Sequence, residues 1–224
     1  MQNHRDVVVK KPWGYEYLVY ESAEVALWLL HLESQQSTSL HCHPMKTTGL
    51  ILLSGTAELG FISDSKIIIA PEKQMIRRGL FHSTKALSSE GVYLFEIETP
   101  NDKGDLVRLN DTYGRAHEGY ETVSSYYPRP SDSHWISEPL DERAQYYSNR
   151  EAKFVIQILR DIASISELDD ESIVMFLRGG LGKEVSGRLH LATVPGDIGK
   201  GSVLKRVASE MDFLQENTLI LKVD

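Results

Sequence analysis

Short runs of Val, Ile, Leu, Tyr and Phe fill the first hundred residues: "YEYLVY", "VALWLLHLE", "TGLILLSGTAELGFI", "KIIIAPE" and "GVYLFEIETP". Gly, Ser, Asp and Pro break them at intervals of roughly 8–15 residues, which predicts an all-β sandwich or barrel, the class that contains jelly rolls, rather than βαβ units. Residues 101–150 are more polar and rich in Tyr, Pro, Ser and Arg. They read as a connector wrapping the barrel, with a short helix over "PLDERAQYYSNR" (139–150). From residue 151 the strand pattern returns in "KFVIQILR", "SIVMFLRGG", "GRLHLATVPGD", "SVLKRVAS" and "TLILKV".

The two apolar regions echo each other. Gly55 precedes Pro71 by 16 residues, and Gly179 precedes Pro195 by the same interval. A shift of 124 also lays "LFEI" (94–97) over "TLIL" (218–221). A period this long implies two copies of one domain rather than a solenoid. The expected organisation is a metal-binding domain over 1–115, a connector over 116–150 and a second, degenerate half over 151–224.

The reason to expect metal lies in "SLHCHPMKTTG" (39–49). Residues i and i+2 of a strand share one face, so His41 and His43 point the same way while Cys42 points the other way and reads as a packed thiol. A third imidazole is available at His82, after the turn at Pro71 and the glycine at Gly79 in "PEKQMIRRGLFH". Three neutral imidazoles suit one divalent ion, Zn, Fe, Ni, Co or Mn, with positions left for water or substrate. Under the 124-residue shift these histidines fall on Ile165, Glu167 and Arg206, so the second copy carries no triad. Glu96 and Glu98 share a face of "LFEIETP"; carboxylates on an apolar strand are costly to bury unless paired or metal-bound, and the alternative is a wet edge strand. His31, His117, His134 and His190 read as ordinary histidines.

"HCHPMKTTGLILLSG" followed by "PEKQMIRRGLFH" resembles the two motifs of the cupin superfamily. The chain departs from the usual first motif: counting back from Gly55 puts Thr48 in the slot where a glutamate ligand is expected. The nearer resemblance is to phosphomannose isomerases. "KPWGYE" (11–16), "LSGTAEL" and "GDLVRLNDTYGR" (104–115) are similar to segments of the type II enzymes, and "HPMK" is similar to the His-Pro-x-Lys of type I enzymes. The resemblance spans about residues 10 to 115. It implies a cupin jelly-roll barrel, in a bicupin arrangement with a degenerate second barrel. It also implies a metal-dependent isomerase or epimerase of a phosphorylated or nucleotide-linked sugar. In that reading His41, His43 and His82 hold the ion, Glu96 or Lys46 moves the proton, and Lys46, Lys11 and Arg115 bind phosphate. Arg108 and Arg115 equally suit structural ion pairs with Asp105 and Asp111. Because cupins host many functions, a three-histidine oxygenase or lyase and a non-catalytic sugar-binding protein stay open.

Charge and composition narrow the partners. A formal net charge of −8, with no Lys/Arg stripe, argues against a nucleic-acid backbone. The single cysteine excludes an internal disulfide. The start "MQNHRDVVVKKPWGYE" has no apolar signal core, and the longest apolar runs are too short to span a bilayer. These features give the expectation of a soluble cytoplasmic protein, and the resemblance implies a small-molecule sugar or sugar phosphate as its partner. A homodimer formed through β-strands would be ordinary for this fold.

Overall fold

The computed structural model describes residues 4–115, 119–121, 125–129, 133–139, 141, 143–149 and 152–224. The chain divides into two compact units, Met1–Ile136 and Ser137–Asp224.

The first unit is built from β1 (Val7–Lys11), β2 (Gly14–Glu21), β3 (Ala26–Leu32), β4 (Leu40–Cys42), β5 (Thr47–Ser54), β6 (Thr56–Gly60), β7 (Ser65–Ile69), β8 (Glu72–Ile76), β9 (Ser83–Ala86), β10 (Val92–Thr99), β11 (Val107–Asn110) and β12 (Tyr126–Pro128). Its larger sheet runs β12-β1-β2-β3-β10-β5-β8, a three-stranded sheet runs β7-β6-β9, and β11 pairs with β4. The named pairings are antiparallel. This is an all-β jelly roll. Its core joins Trp28, Leu30, Leu50, Leu52 and Leu94 of the large sheet to Ala57, Leu59, Ile68 and Ala86 of the small one. Leu94 therefore faces inward, and strand alternation carries Glu96 and Glu98 along the same interior row. Because β10 lies between β3 and β5, these two carboxylates are not on a wet edge.

The second unit uses β13 (Gln145–Asn149), β14 (Ala152–Ile158), β15 (Ile173–Arg178), β16 (Leu181–Val185), β17 (Arg188–Leu191), β18 (Ile198–Lys200), β19 (Phe213–Leu214) and β20 (Leu219–Val223). Its sheets run β13-β14-β20-β15-β18 and β17-β16-β19. Substituting β2, β3, β10, β5, β8 and then β7, β6, β9 reproduces both orders, so the two units share one topology. The corresponding strands β5 and β15 are each followed by a glycine in the left-handed region, Gly55 (φ 80°) and Gly179 (φ 70°). At Gly179 a Cβ would come within 2.4 Å of Thr218 Oγ1, so the turn excludes other residues.

Two expectations from the hydrophobic pattern fail. "SVLKRVAS" lies in the helix α1 (Gly201–Ala208), not a strand. Its buried positions, Gly201, Leu204 and Ala208, fall at helical spacing, which a window of eight residues does not separate from a short buried strand. Conversely, Gln145–Asn149, within the stretch read as a short helix, forms β13 against β14. Tyr146 and Tyr147 favour an extended pleated surface, and the pairing prevails over the polar flanks. The polar stretch 116–150 thus supplies one strand to each unit, β12 and β13.

Candidate metal centre

The histidines are positioned by backbone before any ligand is considered. His41 lies in β4, and His82 forms an isolated antiparallel bridge with it. His41 N donates to His82 O (3.0 Å) and His82 N to His41 O (2.8 Å). His43 follows two residues after His41 on the same face. The ring centroids are 5.0 Å (His41–His43), 4.4 Å (His41–His82) and 5.6 Å (His43–His82) apart. One ring nitrogen from each lies within 4.8 Å of the others.

Hydrogen bonds settle which nitrogen faces inward. His41 Nδ1 meets Ser39 O at 2.8 Å, His43 Nδ1 meets Asp105 O at 2.6 Å, and His82 Nδ1 meets Leu80 O at 3.0 Å. A carbonyl oxygen only accepts, so each Nδ1 carries the proton and each neutral ring keeps its Nε2 lone pair. His43 Nε2 is buried with no hydrogen-bond partner. Burial pushes all three imidazoles down, His41 well below its ordinary value and His43 and His82 to about 4. Neutral imidazoles with unprotonated, inward Nε2 atoms are the donor set a divalent ion requires, so these residues fit one. Asp105 fixes the loop around them: its Oδ2 accepts from the N–H groups of Met45 and Lys46, both at 2.9 Å, while its carbonyl anchors His43.

Beside the triad lies a buried carboxylate pair. Glu96 Oε1 is 4.0 Å from His43 Nε2, and His43, Glu96 and Glu98 form a second group close enough to share an ion. Burial pushes the Glu96 carboxyl up, with the neighbouring Glu98 charge adding to it. Burial acts on Glu98 as well, but the ammonium groups of Lys103 and Lys46 overcome it and hold that carboxyl below the usual range. Lys46, 1% exposed, lies 2.9 Å from Glu98. Lys103 stands 3.3 Å from both Glu98 and Glu16 and 3.9 Å over the Trp28 ring. Thr48, in the expected glutamate slot, pairs across the sheet with Glu98. The carboxylate missing from β5 therefore has a close neighbour on β10.

Lys11 and Arg115 reach the same cavity, about 460 Å³ with its open mouth included, which His41, His43, the carboxylate pair and Lys46 also border. Lys11 lies 3.3 Å from Glu16 and pairs with Glu121. Arg115 meets Asp111 at 2.8 Å and Glu121 at 2.6 Å. Arg108 joins them, 3.5 Å from Glu121, rather than pairing with Asp105. Every site residue expected from the sequence except His82 borders this cavity, and His82 joins through the triad. Glu98 was noted in the sequence as sharing the face of Glu96. Lys103, Glu16, Tyr120 and Glu121 carry no local pattern that marks them; they arrive through strand pairing and long-range ion pairs. Of the remaining histidines, His31 packs between Tyr15 and Tyr93, His190 is exposed on β17, and His117 lies outside the described residues.

The second unit has a different filling at the equivalent places. Ile165, in a 3₁₀ turn over Ile162–Glu167, enters its hydrophobic core, while Glu167 and Arg206 are exposed. Among the described residues no histidine cluster forms there. No helix among the described residues is long and apolar enough to cross a membrane.

No family model matches the chain, and no curated protein matches it. Solved structures do. A conserved protein with a double-stranded β-helix domain from Klebsiella pneumoniae subsp. pneumoniae is 15% identical, over 50% of this chain and 90% of its own, with a TM-score of 0.40. KdgF from Halomonas sp. is 10% identical, over 46% of this chain and 94% of its own, also at 0.40. An oxalate oxidase is 19% identical, over 38% of this chain and 46% of its own, at 0.35.

Proposed function

We propose that the first unit is a metal-dependent isomerase or epimerase of a phosphorylated or nucleotide-linked sugar, of the mannose-6-phosphate isomerase kind. The observation that carries this reading is the placement of Glu96. Its carboxylate lies inside the barrel, 4.0 Å from the inward nitrogen of His43. Two lysines hold its neighbour Glu98, whereas among the described residues no lysine or arginine lies within 4 Å of Glu96. One carboxylate of the pair is thus committed to ion pairs and the other is free to exchange a proton beside the triad.

When bound by His41, His43 and His82, a divalent ion supplies Lewis-acid polarisation of the substrate's carbonyl and hydroxyl oxygens. Glu96 removes the proton from the carbon next to the carbonyl. It returns that proton to the former carbonyl carbon in isomerisation, while the hydroxyl proton passes to the carbonyl oxygen; epimerisation instead needs a second acid on the opposite face of the same carbon. No oxidant or reductant enters this balance. Lys46 serves through Glu98, fixing a negative charge beside Glu96. The segments resembling phosphomannose isomerases bring Lys11, Trp13 and Arg115 to the same cavity, which supports a sugar carrying an anionic group.

The test is deuterium exchange. The anaerobic protein is incubated in D₂O with a panel of sugar phosphates and nucleotide sugars, and NMR follows label at the carbon next to the carbonyl. Wild type should exchange, and Glu96→Gln should lose about 10²–10⁴-fold of the rate while keeping its metal. Oxygen consumption with Fe(II) and no exchange would replace this reading with an oxygenase, and tight sugar binding without exchange would replace it with a binding protein.

A further inference from the structure

Glu121 sits where a ligand would sit. Lys11 from β1, Arg108 from β11 and Arg115 from the turn after Asp111 converge on this one carboxylate. Its Oε1 takes both guanidinium groups, Arg115 at 2.6 Å and Arg108 at 3.5 Å, and its Oε2 takes the Lys11 ammonium. The side chains are 4% (Lys11), 4% (Arg108), 11% (Arg115) and 9% (Glu121) exposed. Three cations fanned around two oxygens is the arrangement by which a protein grips an oxyanion.

Two of the cations do not depend on Glu121. Lys11 also meets Glu16 at 3.3 Å, and Arg115 also meets Asp111 at 2.8 Å, with the Asp111 carboxylate further fixed by the N–H groups of Tyr113 (3.1 Å) and Arg115 (2.8 Å). Arg108 in addition donates to Gly119 O at 2.5 Å. Lys11 and Arg115 therefore keep a carboxylate partner each when Glu121 turns away. The three-cation cluster also adjoins the triad, because Arg108 and His41 are register partners on β11 and β4.

We infer that Lys11, Arg108 and Arg115 form an oxyanion-binding subsite that Glu121 of the same chain occupies as a stand-in, to be displaced by the phosphate or carboxylate group of an incoming ligand. Glu121 thereby acts as a competitor built into the fold. It keeps three buried cations paired until an anion displaces it and raises the threshold for ligands without a strong anion. This deepens the sugar-phosphate reading, yet it concerns binding alone, so it stands or falls separately from proton exchange.

Calorimetric titration tests it, with inorganic phosphate and with acetate as probes, on the full chain as purified and again after chelation. Chelation removes the route by which either anion binds a metal. Glu121→Gln removes the internal charge at constant size, and its affinity for the matching probe should rise at least about tenfold over wild type. A rise for phosphate identifies a phosphate site, and a rise for acetate identifies a carboxylate site. Adding Arg108→Met to Glu121→Gln should abolish the gain. Should Glu121→Gln not fold, Glu121→Asp keeps the charge but shortens its reach, and a smaller gain is expected. No gain with either probe in a folded variant overturns the proposal. So does a gain that survives Arg108→Met.

Discussion

His41 and His82 donate their backbone N–H groups to each other's carbonyls, so two of the three candidate ligands are joined by main chain and not by the ion they would bind. Their rings are then oriented by Nδ1–H donation to the carbonyls of Ser39 and Leu80. The centre is preorganised: the geometry is set by strand pairing at positions 41 and 82, and the ion adds to a site that the fold already makes.

Separation of metal binding from folding follows. In His82→Gln the backbone bridge survives, while the Nε2 lone pair and the Nδ1–H donation to Leu80 O are lost. Metal affinity should fall by more than about 100-fold, since even loss of a group that merely orients a ligand costs 10–100-fold. The metal-free variant should melt within about 4 °C of metal-free wild type, the shift expected for 1 kcal/mol in a chain of this size. Metal analysis of dialysed protein and thermal unfolding in chelator check both halves. Full metal retention would remove His82 from the ligand set.

Lys46 and Glu98 should behave as a coupled pair. Their atoms meet at 2.9 Å with side chains 0% and 2% exposed. Removing one member of such a pair leaves a buried charge without its partner, which costs on the order of 3–5 kcal/mol. Lys46→Met should sit at the low end, because Lys103 still reaches Glu98 at 3.3 Å. In Lys46→Met/Glu98→Gln the two costs should overlap, leaving a coupling of about 1–3 kcal/mol in a denaturant-unfolding cycle. Strict additivity would mean that the two side chains do not depend on each other.

The triad was legible because it rests on short-range rules. His41 and His43 need only strand periodicity, and His82 needs only a turn that brings a third imidazole back. Glu96 and Glu98 were legible as two carboxylates on one face, but not as interior groups, because their burial depends on β10 lying between β3 and β5. Lys103 and Glu16 belong to segments 87 residues apart that meet only in the folded barrel. Helix α1 was misread for a different reason: Val203, Leu204, Val207 and Ala208 make an apolar set that an eight-residue window fits to either period. Thr48 looked like a lost ligand because the motif was read along one strand. Across the sheet it faces Glu98, a relationship set by register between residues 50 positions apart.

Thr48 offers a test of that register. It is 1% exposed, and its Oγ1 has no hydrogen-bond partner. A buried hydroxyl without a partner costs roughly 1–3 kcal/mol, so Thr48→Val should be neutral or stabilising by up to about 1 kcal/mol in urea unfolding. Thr48→Glu places a second carboxylate opposite Glu98, where like charges destabilise, and should lower stability by more than about 2 kcal/mol in metal-free protein. A destabilised Thr48→Val would show that the hydroxyl has a role in the cavity.

Glu16 should contribute to the acid sensitivity of the first unit. Burial alone would push its carboxyl up, but Lys103, Lys11 and the hydrogen bond from Tyr120 overcome this and hold it at about 2, against 4.5 for an unhindered glutamate. A folded-state value below the unfolded one means that ionised Glu16 favours the native protein. The contribution is complete above pH 4.5 and is lost as pH falls from 4.5 toward 2, with a full size on the order of 3 kcal/mol. Glu16→Gln should therefore be destabilised at pH 7, since Lys11 and Lys103 each lose a partner, and its deficit against wild type should shrink as pH falls from 5 to 3. Urea midpoints for both proteins across that range measure the difference. A deficit that stays constant with pH would mean that the Glu16 charge does not stabilise the fold.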